Sequence, residues 1–481
     1  MEKENRFEES IIGREEEKET LLRCLHSKSP EFVALYGRRR IGKTFLVRKF
    51  FKDKFSFYAT GVNSKTKRSK LEAFKQALQN YGDKDKNTPK TWFDAFSRLK
   101  ALLEDKECYK DPETGKKVVF LDELPWMDSP RSEFKAALDY FWNVFGSAQD
   151  DLLLIVCGSA TSWIINNIVK DTGGFYNRLA NQIHLFPFHL KECQELAKRK
   201  GLDYDEMTLL KTYMVFGGVP YYWNLLSPSK SLDQEIDGLC FQENGVLHYE
   251  FQNLFRSLFS SKGSHREIIE VLFKKAAGYT RKELIEKGIS DGKSLTKSLE
   301  ELEECGFIRK FNLPNKNNGA YYQVIDSFCR FALTFFEKKR LSSWLAYIDT
   351  PSYYSWQGNA FELLCLNHVK EIKNALGISG VETKEYSFRS KESNPGAQID
   401  LVIERKDQVI NLCEMKYSLP PYVIDKEYMY NLENKKQVFL KESKTKCALR
   451  LTLISPNGLQ ENQYSNEIRN VITAKDFFRS W

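Results

Sequence analysis

A glycine-rich stretch between an apolar run and a helix-like segment carries the strongest chemical pattern in the chain. It consists of Gly37-Arg38-Arg39-Arg40-Ile41-Gly42-Lys43-Thr44 and is followed by Phe45. The glycines let the backbone wrap closely around a polyphosphate, with its N–H groups pointing inward and a helix N-terminus behind them. In such a loop the lysine reaches the β- and γ-phosphates, and the threonine hydroxyl is a ligand for Mg²⁺. Residues 37–45 are therefore predicted to bind ATP or GTP.

Two carboxylates, Asp122 and Glu123, end a second apolar run. Four apolar residues followed by two acids are typical of a buried parallel strand whose carboxyl end faces a ligand. Downstream of a phosphate-binding loop, Asp122 is expected to hold Mg²⁺ through water. Glu123 is expected to polarise the water that attacks the γ-phosphate. The alternative is a solvated acidic turn at the end of an ordinary strand.

A third apolar run, residues 152–157, ends in small polar residues. A hydroxyl at this edge of a parallel sheet would sense the γ-phosphate. Ser159 is the first candidate for that role and Thr161 the second. A helix cap formed by either residue explains the same pattern, and the sequence leaves both interpretations open.

A second set of charged residues lies near the C-terminus, on two strand-like runs either side of residue 407. A hairpin turning at residue 407 brings Asp400 opposite Glu414, and it places Glu414 and Lys416 on one face of a strand. Two carboxylates that hold Mg²⁺, with a lysine near the scissile phosphate, are the parts of a metal-dependent nuclease. The alternatives are a degenerate nuclease fold or surface charges on strand ends.

Residues 265–324 show three helix-like segments followed by a two-stranded pattern. This order predicts a winged helix-turn-helix. If the third helix enters the DNA major groove, Lys293, Thr296 and Lys297 lie at its N-terminal end, where base contacts occur. Four glutamates make the other half of that helix acidic. The alternative is therefore a packing module that relays movement.

The composition indicates a globular protein with several cores. The chain has 481 residues and is 42% hydrophobic and 14% aromatic, which suits about two to four domains. A net charge of +8 is compatible with a nucleic-acid partner. Ten cysteines are scattered without a Cys-x-x-Cys pair, as in reduced cytosolic proteins. The charged N-terminus and the short apolar runs predict a cytoplasmic protein without a membrane segment.

Taken together, these motifs resemble the archaeal-type predicted ATPases, a branch of the AAA+/STAND group of P-loop ATPases. The matching segments are residues 37–44, Leu121-Asp122-Glu123, Gly158-Ser159, Asn177-Arg178-Leu179, Leu185-Phe-Pro-Phe188 and Gly217-Gly-Val-Pro220. The resemblance implies that Arg178 faces a γ-phosphate, in cis or from a neighbouring subunit, as an arginine finger does. A surface salt-bridge arginine is the alternative.

The C-terminal pattern is similar to the PD-(D/E)xK nuclease-like fold, which this family of ATPases carries at its C-terminus. Asp400, Glu414 and Lys416 match its motif, and Glu362 on an upstream helix is a further metal ligand that the resemblance implies. Ile399 stands where that motif often has proline.

The resemblance extends over nearly the whole chain and predicts an α/β protein. The expected domains are a P-loop AAA+-like ATPase core at 1–190, a helical lid at 191–260, a winged helix at 261–335 and a nuclease-like domain at 336–481. ATP and Mg²⁺ are the implied cofactors, DNA is the implied partner, and a homo-oligomer is compatible with the family.

The resulting hypothesis is an ATP-hydrolysing switch or motor that couples nucleotide state to a nucleic-acid-acting domain. Such a protein suits a mobile-element or anti-phage context. The alternatives are a STAND-like scaffold, whose assembly follows the nucleotide, and a DNA-binding regulator that carries a degenerate nuclease fold.

Overall fold

The computed structural model describes residues 11–159, 161–170, 181–259, 264–312, 319–337, 343–390 and 395–479, without the side chains of residues 161 and 257. Their contacts divide the chain into two compact units, Met1–Phe186 and Pro187–Trp481. We call them the N-terminal unit and the C-terminal unit.

The N-terminal unit is built on a parallel sheet with helices on both faces. Its strands are β1 (Glu31–Tyr36), β2 (Phe57–Thr60), β3 (Lys117–Asp122), β4 (Leu152–Gly158) and β5 (Asn181–His184). The spatial order is β2-β3-β4-β1-β5, and every pairing is parallel. Its helices are α1 (Glu15–His26), α2 (Lys43–Phe50), α3 (Lys67–Asn80), α4 (Trp92–Glu104), α5 (Leu124–Met127), α6 (Phe134–Val144) and α7 (Thr161–Ile164). The predicted α/β fold with a parallel core is confirmed.

Strand β1 lies inside the sheet and is buried on both faces. Phe32, Ala34 and Tyr36 point into the apolar cluster that includes residues of α3, α4 and α6. Val33 and Leu35 point into the opposite cluster, which includes residues of α1 and α2. Because a strand alternates its side chains between faces, an unbroken apolar run is the signature of such a two-sided core. The loop after β1 therefore emerges from a fixed position at the carboxyl edge of the sheet.

The C-terminal unit begins with helices. They are α8 (Leu190–Arg199), α9 (Glu206–Phe216), α10 (Pro220–Leu225), α11 (Leu232–Ile236) and α12 (Glu250–Leu258). Three further helices follow, α13 (His265–Phe273), α14 (Arg281–Glu286) and α15 (Lys293–Glu304). Beside them is an antiparallel sheet of β6 (Tyr279–Thr280), β7 (Ile308–Phe311) and β8 (Tyr321–Val324), in the order β6-β8-β7. The sequence predicted two of these strands, β7 and β8. Strand β6 was not predicted, because two residues are too few to show the alternation of a strand.

The last part of the chain forms a mixed five-stranded sheet. After α16 (Ser327–Phe335) come α17 (Pro351–Asn367), α18 (Val369–Ala375), β9 (Thr383–Ser390), β10 (Ala397–Arg405), β11 (Val409–Met415), α19 (Lys426–Ser443), β12 (Ala448–Ile454) and β13 (Ile468–Ile472). The order is β13-β12-β11-β10-β9, antiparallel from β9 to β11 and parallel from β11 to β13. Helix α19 is the crossover that a parallel β11–β12 pair requires. Leu401 pairs with Cys413, so the predicted hairpin is present, and Asp400 and Glu414 are each the next residue beyond that pair.

All ten cysteines are free, and all except Cys108 and Cys447 are buried. Among the helices of the described residues, none combines the length and the apolar character needed to cross a membrane.

Candidate functional site

The loop between β1 and α2 has the backbone of a phosphate-binding loop. Gly37, Arg40 and Gly42 have positive φ angles, of 145°, 71° and 92°, a region that favours glycine. A Cβ on Gly42 would meet no atom within 4 Å. The side chains of Arg38 and Ile41 are buried, at 2% and 1% exposure. Contacts to a phosphate would therefore come mainly from backbone N–H groups, which suit a polyphosphate.

Gly37 also has a steric reason to be glycine. A Cβ there would clash with the carbonyl oxygen of Leu185, next to β5. We expect Gly37→Ala to lower the free energy of unfolding by about 2–3 kcal/mol, because backbone strain and a clash add together. Gly115→Ala is the matched control, since its φ is also positive, at 74°, but its Cβ would meet nothing within 4 Å. Urea denaturation of both variants checks this, and an equal loss in the two would contradict the role of the clash.

The residues that begin α2 contact the end of β3. Thr44 Oγ1 donates to Asp122 Oδ2 at 2.8 Å, and the Glu123 N–H donates to Asp122 Oδ1 at 2.9 Å. Lys43 Nζ donates to the carbonyl oxygens of Gly37 and Arg38, both at 2.7 Å. A hydroxyl and a carboxylate in contact beneath such a loop are the donor set that Mg²⁺ uses beside a bound triphosphate.

Glu123 is held from the neighbouring strand β4. It has φ 46° and ψ 46°, an uncommon conformation outside glycine. Its Oε2 accepts hydrogen bonds from the Ser159 N–H at 3.2 Å and from Ser159 Oγ at 2.9 Å. The hydroxyl of Ser159, the first candidate for sensing the γ-phosphate, therefore donates to the carboxylate of Glu123. The side chain of Thr161, the second candidate, lies outside the described residues, as does Arg178.

Ser159→Ala removes one of the two donors that orient Glu123. We expect ATP turnover to fall about ten-fold, the size that a lost hydrogen bond to a charged group gives, with ATP affinity changed less than two-fold. Single-turnover hydrolysis and equilibrium binding measure the two effects separately. A fall in affinity at unchanged turnover would instead mean that Ser159 contacts the nucleotide.

In the C-terminal unit, β10, β11 and α19 bring a second set of charges together. Asp400 Oδ2 accepts the Met415 N–H at 2.9 Å. Glu414 Oε2 accepts from Lys435 Nζ at 2.6 Å and from the Tyr428 hydroxyl at 3.2 Å. Glu414 Oε1 is buried and has no hydrogen-bond partner among the described residues. Burial first, and then the charge of Asp400, raise the pKa of Glu414, while Lys435 opposes the rise.

Glu362, on α17, belongs to the same electrostatic neighbourhood. Burial and the negative charge of Asp400 raise the pKa of Glu362 to about 7, against the opposing positive charges of Arg309, Arg330 and Lys416. We call Glu362, Asp400 and Glu414 the carboxylate cluster. The charge of Asp400 raises the pKa of both glutamates. A cation bound beside these carboxylates would offset that repulsion, and the unpartnered oxygen of Glu414 fits such a ligand.

Another set of potential metal ligands has its ligand atoms closer together than the carboxylate cluster. Among the described residues, His189, His368 and Glu371 are the three whose ligand atoms lie within 4.8 Å of one another. His368 already uses both ring nitrogens, since Nε2 accepts the Leu190 N–H at 3.0 Å and Nδ1 lies 2.8 Å from the Leu364 carbonyl oxygen. Burial lowers the pKa of His368 to about 4. His368 is therefore a neutral structural contact, and His189 Nδ1 lies 2.8 Å from Glu371 Oε1. No sequence motif predicted this group.

The residues proposed for nucleic acid lie at the surface. Lys293, Thr296 and Lys297 are exposed on the first two turns of α15. Thr296 Oγ1 accepts from Arg281 Nη1 at 2.8 Å, and Lys297 Nζ is 3.8 Å from Glu301. Exposed lysines in this position are available to a phosphate or a base edge.

Sequence reasoning missed the roles of Tyr428 and Lys435. Both contact Glu414, and they are seven residues apart on α19, which places them on one face of the helix. That spacing was the available signal, but Lys435 belongs to a basic run, which is more typical of a solvated helix. Two other candidates at the first site, Arg39 and Arg40, are partly buried, and the ring of Phe45 is half exposed.

Comparisons with known proteins agree with the first site. Residues 11–226 match a family model described as an ATPase domain predominantly from Archaea. An uncharacterised protein of Methanocaldococcus jannaschii is 25% identical over 272 residues, 54% of this chain and 54% of that protein. The chain thus spans about half the length of that relative. An uncharacterised ATP-binding protein of the same organism is 44% identical over 44 residues, 9% of this chain and 75% of that protein.

Similar solved structures include a Walker-type ATPase of Pyrococcus abyssi, with a TM-score of 0.47 and 19% identity, covering 68% of this chain and 97% of that one. Cdc6p from Pyrobaculum aerophilum has a TM-score of 0.31 and 15% identity, covering 68% of this chain and 95% of that one. With the glycine-rich loop, the contact between Thr44 and Asp122 and the parallel sheet, the family match identifies residues 11–226 as an archaeal-type P-loop ATPase domain.

Proposed function

We propose that this protein binds and hydrolyses ATP with Mg²⁺ and couples the nucleotide state to a nucleic-acid-acting C-terminal domain. The observation that carries the ATPase assignment is the 2.8 Å contact between Thr44 Oγ1 and Asp122 Oδ2 beside the glycine-rich loop. The relative named as ATP-binding supports ATP as the nucleotide.

In this proposal each group at the first site has one task. Backbone N–H groups of residues 37–44 and Lys43 bind the phosphates, and Thr44 and Asp122 hold the metal. A bound Mg²⁺ supplies charge neutralisation at the β- and γ-phosphates. Glu123, oriented by Ser159, accepts the proton of the attacking water. Arg178 adds positive charge at the γ-phosphate, in cis or from a neighbouring subunit of a homo-oligomer.

For residues 336–481 we propose a PD-(D/E)xK nuclease-like domain. A helix with Glu362, an antiparallel hairpin with Asp400 and Glu414, and a helical crossover to a parallel strand support it. The carboxylate cluster would hold one or two Mg²⁺ ions, which lower the pKa of bound water. Lys416 would hold the scissile phosphate.

Between the ATPase core and this domain we propose a helical lid, at 191–260, and a winged helix, at 261–335. The three helices and the antiparallel sheet of residues 265–324 support the winged helix. Lys293, Thr296 and Lys297 would contact DNA. A cytoplasmic role in a mobile element or in defence against phage fits a protein that joins these activities.

One assay tests both halves of the proposal. Purified protein is incubated with supercoiled plasmid, single-stranded DNA or RNA, in Mg²⁺ or Mn²⁺, with and without ATP, and phosphate release is followed in parallel. We expect ATP hydrolysis that is absent in Lys43→Ala, and metal-dependent cleavage that changes with ATP. ATP hydrolysis without cleavage of any substrate, together with a nucleotide-dependent oligomer, would replace the nuclease by the scaffold alternative.

A further inference from the structure

Phe186 is an exposed aromatic residue beside the phosphate-binding loop. Its side chain is 52% exposed, and it follows β5, which pairs in parallel with β1. The Leu185 N–H donates to the Tyr36 carbonyl oxygen at 2.8 Å, and the Leu185 carbonyl oxygen leaves no room for a Cβ on Gly37. The chain leading to Phe186 thus runs against the first residue of the loop.

Arg14 ties Phe186 to the other end of the same loop. Its Nη2 donates to the Phe186 carbonyl oxygen at 2.7 Å and lies 3.5 Å from the carbonyl oxygen of Ile41. The backbone of Phe186 is therefore fixed relative to both residue 37 and residue 41. An exposed side chain on so constrained a backbone keeps a defined position without packing in a core.

The ring of Phe186 is the outermost of three. The rings of Tyr36 and His184 are stacked with centroids 4.8 Å apart, and those of His184 and Phe186 are 4.0 Å apart. Tyr36 is buried, at 8% exposure. The series runs from the apolar core to solvent and ends in a ring that His184 supports from one side.

The order of the strands tells which end of a nucleotide faces Phe186. Asp122 and Glu123 follow β3 and Ser159 follows β4, and both strands lie on one side of β1. Strand β5 lies on the other side. Since the metal and the γ-phosphate belong with Asp122 and Glu123, the nucleoside end of the same ligand extends toward β5.

From this placement we infer that Phe186 stacks on the base of the bound nucleotide, a subsite that rests on the ATP site proposed above. Every base has a π-face, so stacking adds affinity but does not by itself distinguish adenine from guanine. The phosphates are held by other residues. The ring should therefore matter for a nucleotide and not for a bare polyphosphate.

The test compares ATP with inorganic tripolyphosphate, each competing with a ribose-labelled fluorescent ATP analogue on the full chain. Phe186→Leu keeps apolar bulk and removes the ring, and Phe186→Tyr keeps the ring. Phe93→Leu is the matched control, because Phe93 is 38% exposed and its ring is 5.8 Å from that of Tyr140. We expect Phe186→Leu to weaken ATP about ten-fold, within the range of base–aromatic stacking, and to leave tripolyphosphate unchanged.

We also expect Phe186→Tyr and Phe93→Leu to bind both ATP and tripolyphosphate with wild-type affinity. Unchanged ATP affinity in Phe186→Leu would overturn the inference. An equal loss for ATP and tripolyphosphate would also overturn it, because the residue would then shape the loop. If the wild-type chain binds neither competitor, the proposed ATP site itself fails, which is seen before any variant is measured.

Discussion

Glu123→Gln is expected to bind ATP with wild-type affinity and to hydrolyse it about 100- to 10,000-fold more slowly, the range that a lost general base gives. The amide keeps the shape of the side chain and an oxygen that accepts from Ser159, but it no longer takes a proton from water. Steady-state phosphate release and equilibrium ATP binding, measured on one preparation, check the two halves of the prediction.

Glu133→Gln is the matched control for this variant. Glu133 also has a positive φ, of 60°, and also precedes a helix, α6, but it is exposed and does not follow a strand of the sheet. Its substitution should leave turnover unchanged. Turnover by Glu123→Gln within three-fold of wild type would assign the base to another residue, and weaker ATP binding would mean that Glu123 contacts the ligand directly.

Asp400→Asn is expected to reduce metal-dependent cleavage of nucleic acid to background and to leave ATP hydrolysis intact. The amide oxygen still accepts the Met415 N–H, so the strands should keep their register, while the charge available to a cation is lost. Asp400 is a cleaner choice than Glu414, because removing the charge of Glu414 leaves Lys435 in a largely buried place without its partner.

Glu433→Gln serves as the control for Asp400→Asn. Glu433 lies on α19 and pairs with Lys436, and 42% of its side chain is exposed. The Glu433→Gln variant should therefore cleave nucleic acid at the wild-type rate. Thermal unfolding of each variant separates loss of chemistry from loss of fold. Cleavage that persists in Asp400→Asn would exclude the carboxylate cluster as the nuclease centre.

The parts of the two sites that the sequence predicted are those encoded by short-range patterns. The phosphate-binding loop and the pair Asp122–Glu123 each lie within a few residues of an apolar run, and that run is the buried strand that positions them. Asp400 and Glu414 were placed opposite each other because a hairpin with one turn fixes its own register. In each case one local pattern determines where the side chain goes.

The contacts that the sequence did not predict join residues far apart in the chain. Ser159 meets Glu123 because β3 and β4 are neighbours, and Lys435 meets Glu414 because α19 crosses back over the sheet. Neither pairing has a periodicity or a spacing that marks it. The partners of such residues depend on packing between elements, which a single sequence does not specify.

The ion pair between Glu414 and Lys435 has a consequence for how related proteins diverge. Both side chains are largely buried, at 5% and 15% exposure, and losing one partner of a buried pair costs about 3–5 kcal/mol. Drift at one position is therefore tolerated mainly when the other changes too. Relatives that have lost one of the two charges should carry apolar residues at both positions together, and an alignment of such proteins would reveal them by that covariation.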